Sequence, residues 1–381
     1  MKITVKKENL IQAIQHVSKA ISQRTTIPIL TGIKVEVNQN GMTLTASDTE
    51  ITIQSIIPIH IEEVRIIEIE HTGSVVIPSR IFIEIIRKLP SSTVTIEVKE
   101  NFETFITSGQ SVIQIMGLNP EDYPTVTLLQ NNEKTISIPS ALLKTIIYQT
   151  TFATSTSEAT PVLTGVLWNI TEENITFIAC DRHRLAKKKI SIQFHKYDDV
   201  PQIILSGRTL NELNKILPDN QTNVNIYVDE NQIMISMDSV VFYSVIINGS
   251  YPDTSKLIPE SFQSQIIIKT KEFTEAIERA YLISREDKSN IVKLVMNTDN
   301  TIEISTSSQQ LGKLNEVIIP SSMSGDLLKI SFNSKYMLEA LKIMDSELLI
   351  IGFTGVMQPI ILKPNNNDDM IQLILPYRTT N

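Results

Sequence analysis

Apolar residues recur at helical spacing in three segments of the chain. In the first segment, Leu10, Ile14 and Val17 are separated by four and three positions, which is the period of one face of an α-helix. Similar patterns return near Leu142 and near Phe273, so the same feature recurs roughly every 130 residues. This pattern predicts an internal threefold repeat.

A second helix is predicted in each repeat, after a β-branched stretch and a small polar residue that suits a helix start. These second helices begin near Arg80, Arg208 and Lys335. The six predicted helices cover residues 6–22, 79–89, 139–151, 206–217, 270–284 and 333–344.

Between the helices, polar and β-branched residues alternate as they do in strands with one buried face. Examples are residues 93–98, 224–228 and 232–237. The predicted fold class is therefore α+β, with three tandem copies of a domain in which two helices are backed by antiparallel sheets. Chance likeness among isoleucine-rich helices is the alternative, but the collinear recurrence of both helices favours the repeat. The predicted domains are residues 1–126, 127–256 and 257–381.

The composition is that of a globular chain. The 381 residues are 41% hydrophobic, and only 12 Gly and 16 Pro exclude collagen-like or low-complexity sequence. A single cysteine, Cys180, rules out an intrachain disulfide and fits a reducing cytosol. Neither a signal peptide nor an apolar run of membrane-spanning length is evident. We expect a soluble, cytoplasmic protein with no membrane partner.

The net charge of −8 argues at first against nucleic acid as a partner. The charge is unevenly distributed, however: the six predicted helices carry more Lys and Arg than Asp and Glu, whereas the remainder is acidic. Arg80, Arg208 and Lys335 stand at helix N-termini, where a cation opposes the helix dipole. Solvated helix faces would explain any one of them. Three equivalent copies favour a shared anionic partner.

The segment Cys180–Arg184 combines a thiol, a carboxylate and an imidazole, and an enzyme is therefore one alternative. A nucleophile needs a base and an orienting group in space, however, and neighbours in sequence do not supply this arrangement. The chain has no paired His or Cys at metal-ligand spacing and no phosphate-binding glycine loop. We expect Cys180 to be a buried apolar residue. We therefore predict no catalytic residue, no metal site and no cofactor.

Five motifs are similar to those of bacterial β sliding clamps, the processivity subunits of DNA polymerase III. They are Arg24–Gly32 (RTTIPILTG), Pro161–Gly165 (PVLTG), Cys180–Ala186 (CDRHRLA), Gly249–Asp253 (GSYPD) and Leu375–Arg378 (LPYR). The motifs extend over essentially the whole chain in collinear order. The resemblance implies three clamp domains per chain and two chains closing head-to-tail into a ring with twelve helices around a central hole.

The resemblance also implies a non-catalytic function in DNA replication. Such a ring encloses double-stranded DNA without reading its sequence. It also binds a clamp loader, the replicative polymerase and repair proteins through short apolar peptides. A loaded ring dimer runs off linear DNA, whereas a sequence-specific regulator, the remaining alternative, does not.

Three sets of residues are predicted to carry these functions. For Arg24 the resemblance implies DNA contact, whereas charge and helix placement add Arg80, Lys144, Arg208, Lys215, Arg279, Lys335 and Lys342. By motif, the resemblance implies a peptide pocket of Leu163, Arg182, His183, Arg184, Leu185, Pro252, Lys256, Leu257, Met357, Pro359, Pro376, Tyr377 and Arg378. For the dimer interface we expect Leu282 and Ile283 to meet Ile113 and Ile115 of the second chain, although both isoleucines could be internal core.

The motif around Cys180 departs from the usual sequence of the family, Thr-Asp-Ser/Gly-His-Arg-Leu-Ala. Cys180 lacks a hydroxyl, and Arg182 replaces a small residue beside the predicted pocket. A variant clamp with an altered partner preference is therefore a further interpretation. For Leu163, Leu185 and Leu257, plain core packing remains an equal alternative to a place in the pocket.

Overall fold

The computed structural model describes residues 1–22, 25–125, 135–192, 202–286 and 290–378. Within these ranges the helices coincide closely with the periodic segments of the sequence. They are α1 (Lys7–Val17), α2 (Ser79–Lys88), α3 (Ser140–Thr150), α4 (Gly207–Ile216), α5 (Thr270–Ser284) and α6 (Ser334–Lys342).

Strands make up most of the remaining regular structure. In chain order they are β1 (Lys2–Lys6), β2 (Gly32–Asn38), β3 (Gly41–Ser47), β4 (Ile51–Pro58), β5 (His60–Ile61), β6 (Val64–Arg65), β7 (Ile67–His71), β8 (Gly73–Pro78), β9 (Thr93–Val98), β10 (Glu103–Ser108), β11 (Ser111–Met116), β12 (Thr135–Pro139), β13 (Gly165–Ile170), β14 (Asn174–Cys180), β15 (Arg184–Ser191), β16 (Ile203–Ser206), β17 (Asn223–Val228), β18 (Gln232–Met237), β19 (Val240–Val245), β20 (Ser264–Lys269), β21 (Ile291–Met296), β22 (Ile302–Ser308), β23 (Gly312–Ile318), β24 (Ser322–Gly325), β25 (Lys329–Asn333), β26 (Leu348–Phe353), β27 (Ile360–Pro364) and β28 (Met370–Ile374).

The order of elements repeats three times. Each third begins with one strand and a helix, continues through several strands to a second helix, and ends with three strands. The α+β class and the three tandem two-helix domains are confirmed. The first helix is shorter than predicted, because a single 3-10 turn (Ser18–Ala20) replaces the α-helix after Val17.

The chain forms two compact units. The first comprises Met1–Lys144 and Arg208–Ile246, and it contains a five-stranded sheet (β11-β10-β9-β1-β7) and an eight-stranded sheet (β12-β17-β18-β19-β4-β3-β2-β8). Helix α1 packs on β4 and α2 through its buried face, which includes Leu10 and Ile14. The helix therefore covers the sheet with the face that the sequence predicts.

The second unit comprises Thr145–Gly207 and Ile247–Asn381. It contains a nine-stranded sheet (β16-β13-β14-β15-β28-β27-β26-β20-β24) and a four-stranded sheet (β23-β22-β21-β25). Helices α5 and α6 pack on each other and share one core with these sheets, in which Phe273 and Phe332 are fully buried.

The predicted domain boundaries remain predictions, because the two units follow sheets that extend from one repeat into the next. The boundary predicted at residue 126 also lies at the edge of a segment outside the described residues. Across the described ranges, every helix is too short or too polar to cross a membrane.

Candidate functional site

The first part of the candidate site is the hairpin that joins β14 to β15. Asp181 organises its three-residue loop, since one carboxylate oxygen accepts hydrogen bonds from the backbone N–H groups of His183 (2.9 Å) and Arg184 (3.0 Å). Such side-chain-to-backbone bonding is a strong determinant of turn formation. The loop presents Arg182 and His183 to solvent.

Arg184 is held in place on several sides. Its Nε donates to Asp181 Oδ2 at 2.9 Å, and Nη1 forms an ion pair with Glu339 on α6. The guanidinium lies 4.6 Å from the ring centroid of Tyr336 and 5.3 Å from that of Phe152. Its side chain is only 11% exposed. Arg184 is therefore neutralised by two carboxylates and enclosed by aromatic rings.

Strand pairing brings the C-terminal segment against this hairpin. Arg184 is opposite Ile374 in the β15–β28 ladder, and Ile374 is opposite Ile360 in the β28–β27 ladder. The backbone N–H of Leu375 donates to the His183 carbonyl at 2.8 Å. Residues that are far apart in sequence therefore meet at the same end of three central strands of the nine-stranded sheet.

A buried apolar cluster lies under these segments. It contains Leu163, Leu167, Cys180, Leu185, Ile204, Tyr251, Ile361 and Leu373. The partly buried Ile258 and Phe262 pack against it. Leu163 and Leu185 are buried in this cluster, and their place in a peptide pocket stays a prediction.

Several apolar side chains are exposed on the segments that leave this cluster. We call this set the apolar surface; its members are Leu257, Val356, Met357, Leu375 and Tyr377. Leu257 is therefore a surface residue and not a core residue. Sequence reasoning left Val356 and Leu375 out of the predicted pocket, although Leu375 is the first residue of the Leu375–Arg378 motif. The only signal for Val356 was its position beside Met357.

The other predicted pocket residues lie in the same unit. Pro252, Lys256 and Arg378 are exposed, whereas Pro359 and Pro376 are half-buried. Pro376 forms a bridge with Phe332, and the Tyr377 N–H donates to the Ser331 carbonyl at 2.6 Å. The backbone of the C-terminal segment is therefore anchored, and the Tyr377 side chain remains exposed.

Cys180 has the environment of a structural residue. It is buried in the apolar cluster, and burial raises the pKa of its thiol. The Tyr251 hydroxyl donates to Cys180 Sγ at 3.7 Å. A protonated, buried thiol is a poor nucleophile. In the part of the chain that the structure describes, no group of three His, Cys, Asp or Glu side chains is arranged to hold a metal ion.

The three cations at helix N-termini occupy equivalent positions. Arg80, Arg208 and Lys335 are each the second residue of their helix. The Arg80 and Lys335 side chains are exposed, and Arg80 approaches Glu84 only to 3.9 Å. Arg208, in contrast, forms ion pairs with Asp48 and Glu50. The side chain of Asp48 is only 2% exposed, so Arg208 neutralises a buried carboxylate.

Three more of the predicted DNA-binding cations have acidic partners. Lys144 pairs with Asp219, Lys215 with Glu212 at 2.7 Å, and Arg279 with Glu316 at 2.9 Å. The ion pair with Arg279 lowers the pKa of Glu316. Lys342 is exposed at the end of α6, and Arg24 lies outside the described residues.

The predicted dimer residues lie at or near sheet edges. Ile113 and Ile115 belong to β11, the terminal strand of the five-stranded sheet, where both are half-buried. Ile113 lines a groove of about 250 Å³ with Ile81, Ile85 and Leu89. In the other unit, Leu282 is exposed and Ile283 half-buried on α5. This helix packs on β23, the terminal strand of the four-stranded sheet.

Comparison with known proteins identifies the fold. Three consecutive family models match the chain: DNA polymerase III beta subunit N-terminal domain over residues 1–127, central domain over 137–253 and C-terminal domain over 255–378. The fold thus defines a protein built of three tandem clamp domains.

Individual relatives agree over the full length. The chain is 42% identical to the beta sliding clamp of Bacillus subtilis over 379 residues, which is 100% of both chains. The crystal structure of the DNA polymerase sliding clamp from Bacillus subtilis superposes with a TM-score of 0.96 at 43% identity, again over 100% of both chains. The DNA polymerase III beta chain of Streptococcus pneumoniae gives a TM-score of 0.94 at 32% identity, over 99% of this chain and 100% of that one. The chain belongs to the DNA polymerase III beta subunit family.

Proposed function

We propose that this protein is a DNA polymerase sliding clamp, a non-catalytic ring that encircles duplex DNA and tethers the replicative polymerase to it. The observation that carries this proposal is the full-length match to beta sliding clamps, with all three domains present in order. We place the function in the cytoplasm, with the DNA. A ring holds its substrate by enclosing it, so tight contacts are unnecessary.

Contacts with DNA are assigned to the predicted cations, with a ranking that depends on their ion pairs. Phosphate contacts from Lys and Arg carry no sequence information and let a protein slide. Arg80, Lys335 and Lys342 are exposed and are the best candidates. Lys144, Arg208, Lys215 and Arg279 already have carboxylate partners, which reduces the charge that they offer to phosphate.

The apolar surface and the hairpin tip form the proposed docking site for polymerase, clamp-loader and repair proteins. Exposed apolar side chains over a rigid buried cluster suit a short apolar peptide, because the peptide gains burial without reorganising the site. A single site of this kind lets several partners exchange in turn. Arg184 has a structural role in this site: its charge is already neutralised by Asp181 and Glu339, so it holds the hairpin in place and is not available to a bound peptide.

Ring closure is assigned to β11 and β23, the terminal strands of the five-stranded and four-stranded sheets. Among the strands that the structure describes, none pairs with the outer edge of β11 or of β23, so each edge can extend a sheet into a second chain. Exposed Val112 and Met116 on β11 and Val317 on β23 add apolar area beside Ile113, Ile115, Leu282 and Ile283. The charges are complementary as well: α2 ends with Arg87 and Lys88, whereas α5 exposes Glu272, Glu275 and Glu278. A head-to-tail dimer of this kind closes into a ring.

Retention on DNA of different topology tests the function. The protein is loaded by a clamp loader onto nicked circular DNA, and the bound fraction is measured before and after the circle is cut with a restriction enzyme. A sliding ring stays on the circle and runs off the linear form. Equal retention on both forms would contradict the proposal and would favour direct DNA binding.

A further inference from the structure

We propose that Arg182 is a specificity-determining residue of the docking site, and that the peptides this site prefers carry a carboxylate beside their apolar side chains. This inference rests on the docking function proposed above. It concerns which peptides bind best and not whether peptides bind at all.

The backbone of Arg182 is the first observation. Its φ is +75°, in the left-handed region that is unfavourable for residues with a Cβ. Gly adopts this conformation without strain. The backbone conformation at this position therefore does not require an arginine. Residues with a strained backbone of this kind cluster at functional sites.

The rigidity of the loop is the second observation. Asp181 fixes the loop through its bonds to the N–H groups of His183 and Arg184, and the Leu375 N–H donates to the His183 carbonyl. Arg182 lies between these anchored residues. Its side chain therefore starts from a fixed point beside Leu375, a member of the apolar surface.

The charge balance of the hairpin is the third observation. Arg184 has two carboxylate partners, Asp181 and Glu339. Arg182 is exposed, and its Nη2 donates to the neutral hydroxyl of Thr160 at 2.6 Å. Among the residues that the structure describes, no carboxylate lies within 4.0 Å of the Arg182 guanidinium. The same motif thus contains one neutralised guanidinium and one whose charge is uncompensated.

The contact with Thr160 also orients the guanidinium. Thr160 directly precedes the one-turn helix Pro161–Thr164, whose Leu163 belongs to the buried cluster under the site. The guanidinium therefore lies between the hairpin tip and this turn. A guanidinium has five N–H donors in a planar fork that matches a carboxylate, and one bond to Thr160 leaves donors available. An Asp or Glu side chain of the bound peptide is the complementary group.

The test uses synthetic decapeptides with a central leucine–phenylalanine pair. One Asp is placed in turn at each flanking position, and each peptide is compared with its isosteric Asn counterpart. Fluorescence polarisation gives the ratio of Asn to Asp dissociation constants for the full-length protein and for Arg182→Gly, Arg182→Lys and Lys329→Ala. Lys329→Ala removes an exposed charge elsewhere in the same unit and is the matched control.

We expect the wild-type protein to bind the Asp peptide roughly three- to tenfold more tightly at one position, as an ion pair at the rim of an interface would produce. For the wild-type protein, this ratio of dissociation constants should decrease with added salt. It should fall to about one in Arg182→Gly, take an intermediate value in Arg182→Lys and be unchanged in Lys329→Ala. Binding of the Asn peptides without any preference for Asp, or a preference that persists in Arg182→Gly, would overturn the role of Arg182 alone. Failure of every peptide to bind would overturn the docking site itself. The DNA-retention experiment tests ring function separately from both outcomes.

Discussion

The hydroxyl of Tyr251 accepts a hydrogen bond from the backbone N–H of Cys180 at 3.0 Å, inside the apolar cluster beneath the docking site. The bond links the end of β14 to a segment 71 residues later in the chain. Burial raises the pKa of the Tyr251 hydroxyl and keeps it protonated, so it also donates to Cys180 Sγ. The interaction therefore fixes the start of the hairpin loop that carries Arg182.

Tyr251→Phe should lower the free energy of unfolding by about 1–3 kcal/mol, because the Cys180 N–H would remain buried without an acceptor. Urea denaturation followed by circular dichroism measures the change. Tyr227→Phe removes a hydroxyl from a half-buried position and is the control. Equal effects of the two substitutions would contradict a specific role for the Tyr251–Cys180 bond.

His16 should make stability depend on pH. Its Nδ1 lies 3.3 Å from Ser55 Oγ, and burial lowers the pKa of the imidazole from its ordinary value of 6.5. The folded state therefore resists protonation, and the unfolded state binds more protons once the pH falls below this ordinary value. The stabilising contribution of neutral His16 is complete above about pH 6.5 and decreases as the pH falls towards the lowered pKa of the folded state.

Urea denaturation between about pH 7.5 and pH 5.5 measures this dependence. We expect the wild-type protein to lose more stability across the range than His16→Gln does. His60→Gln, at an exposed position, should follow the wild-type profile. Parallel profiles for the wild-type protein and His16→Gln would contradict the prediction.

The local elements were predictable because their signal is local. Strands β9 and β18 have the bounds that alternation predicts, and α5 has the bounds that helical periodicity predicts. The pairing between repeats was not predictable. Val240 of the second repeat is opposite Ser55 of the first, and Arg184 is opposite Ile374 of the third. Alternation indicates which face of a strand is buried, but it contains no information on which distant strand is its neighbour.

The candidate site was predictable only in part, for the same reason. The motifs identified the hairpin and the C-terminal segment that contains Leu375, whereas Val356 is a single exposed apolar residue without a periodic signal. The count of charges along the helices also predicted Arg80 and Arg208 to be equally good DNA-binding residues. Their difference depends on Asp48 and Glu50, which lie about 160 residues before Arg208 in the chain.

This difference predicts unequal effects on DNA binding. Arg80→Ala should reduce the slope of log affinity against log salt by about 0.9, the value for one lost phosphate contact. Arg208→Ala should change the slope less, because Asp48 and Glu50 already neutralise Arg208. It should instead lower the free energy of unfolding by about 1–2 kcal/mol, since Asp48 loses a partner. Fluorescence anisotropy with a labelled primed duplex, whose two ends are blocked so that a loaded ring cannot run off, measures the slopes. A larger slope change for Arg208→Ala would reverse the ranking.

Leu282→Asp should separate the ring into monomers. Leu282 is 51% exposed on α5, so a carboxylate there is tolerated by the isolated chain but would be desolvated against the apolar edge of a second chain. Leu327→Asp provides a matched control, because Leu327 is also 51% exposed in the same unit but precedes β25, which is at the opposite side of the four-stranded sheet from β23. Sedimentation velocity should show a dimer for the wild-type protein and Leu327→Asp, and a folded monomer for Leu282→Asp. The monomer should also be lost from circular DNA. A stable Leu282→Asp dimer would exclude α5 from the interface and leave only the terminal strands to close the ring.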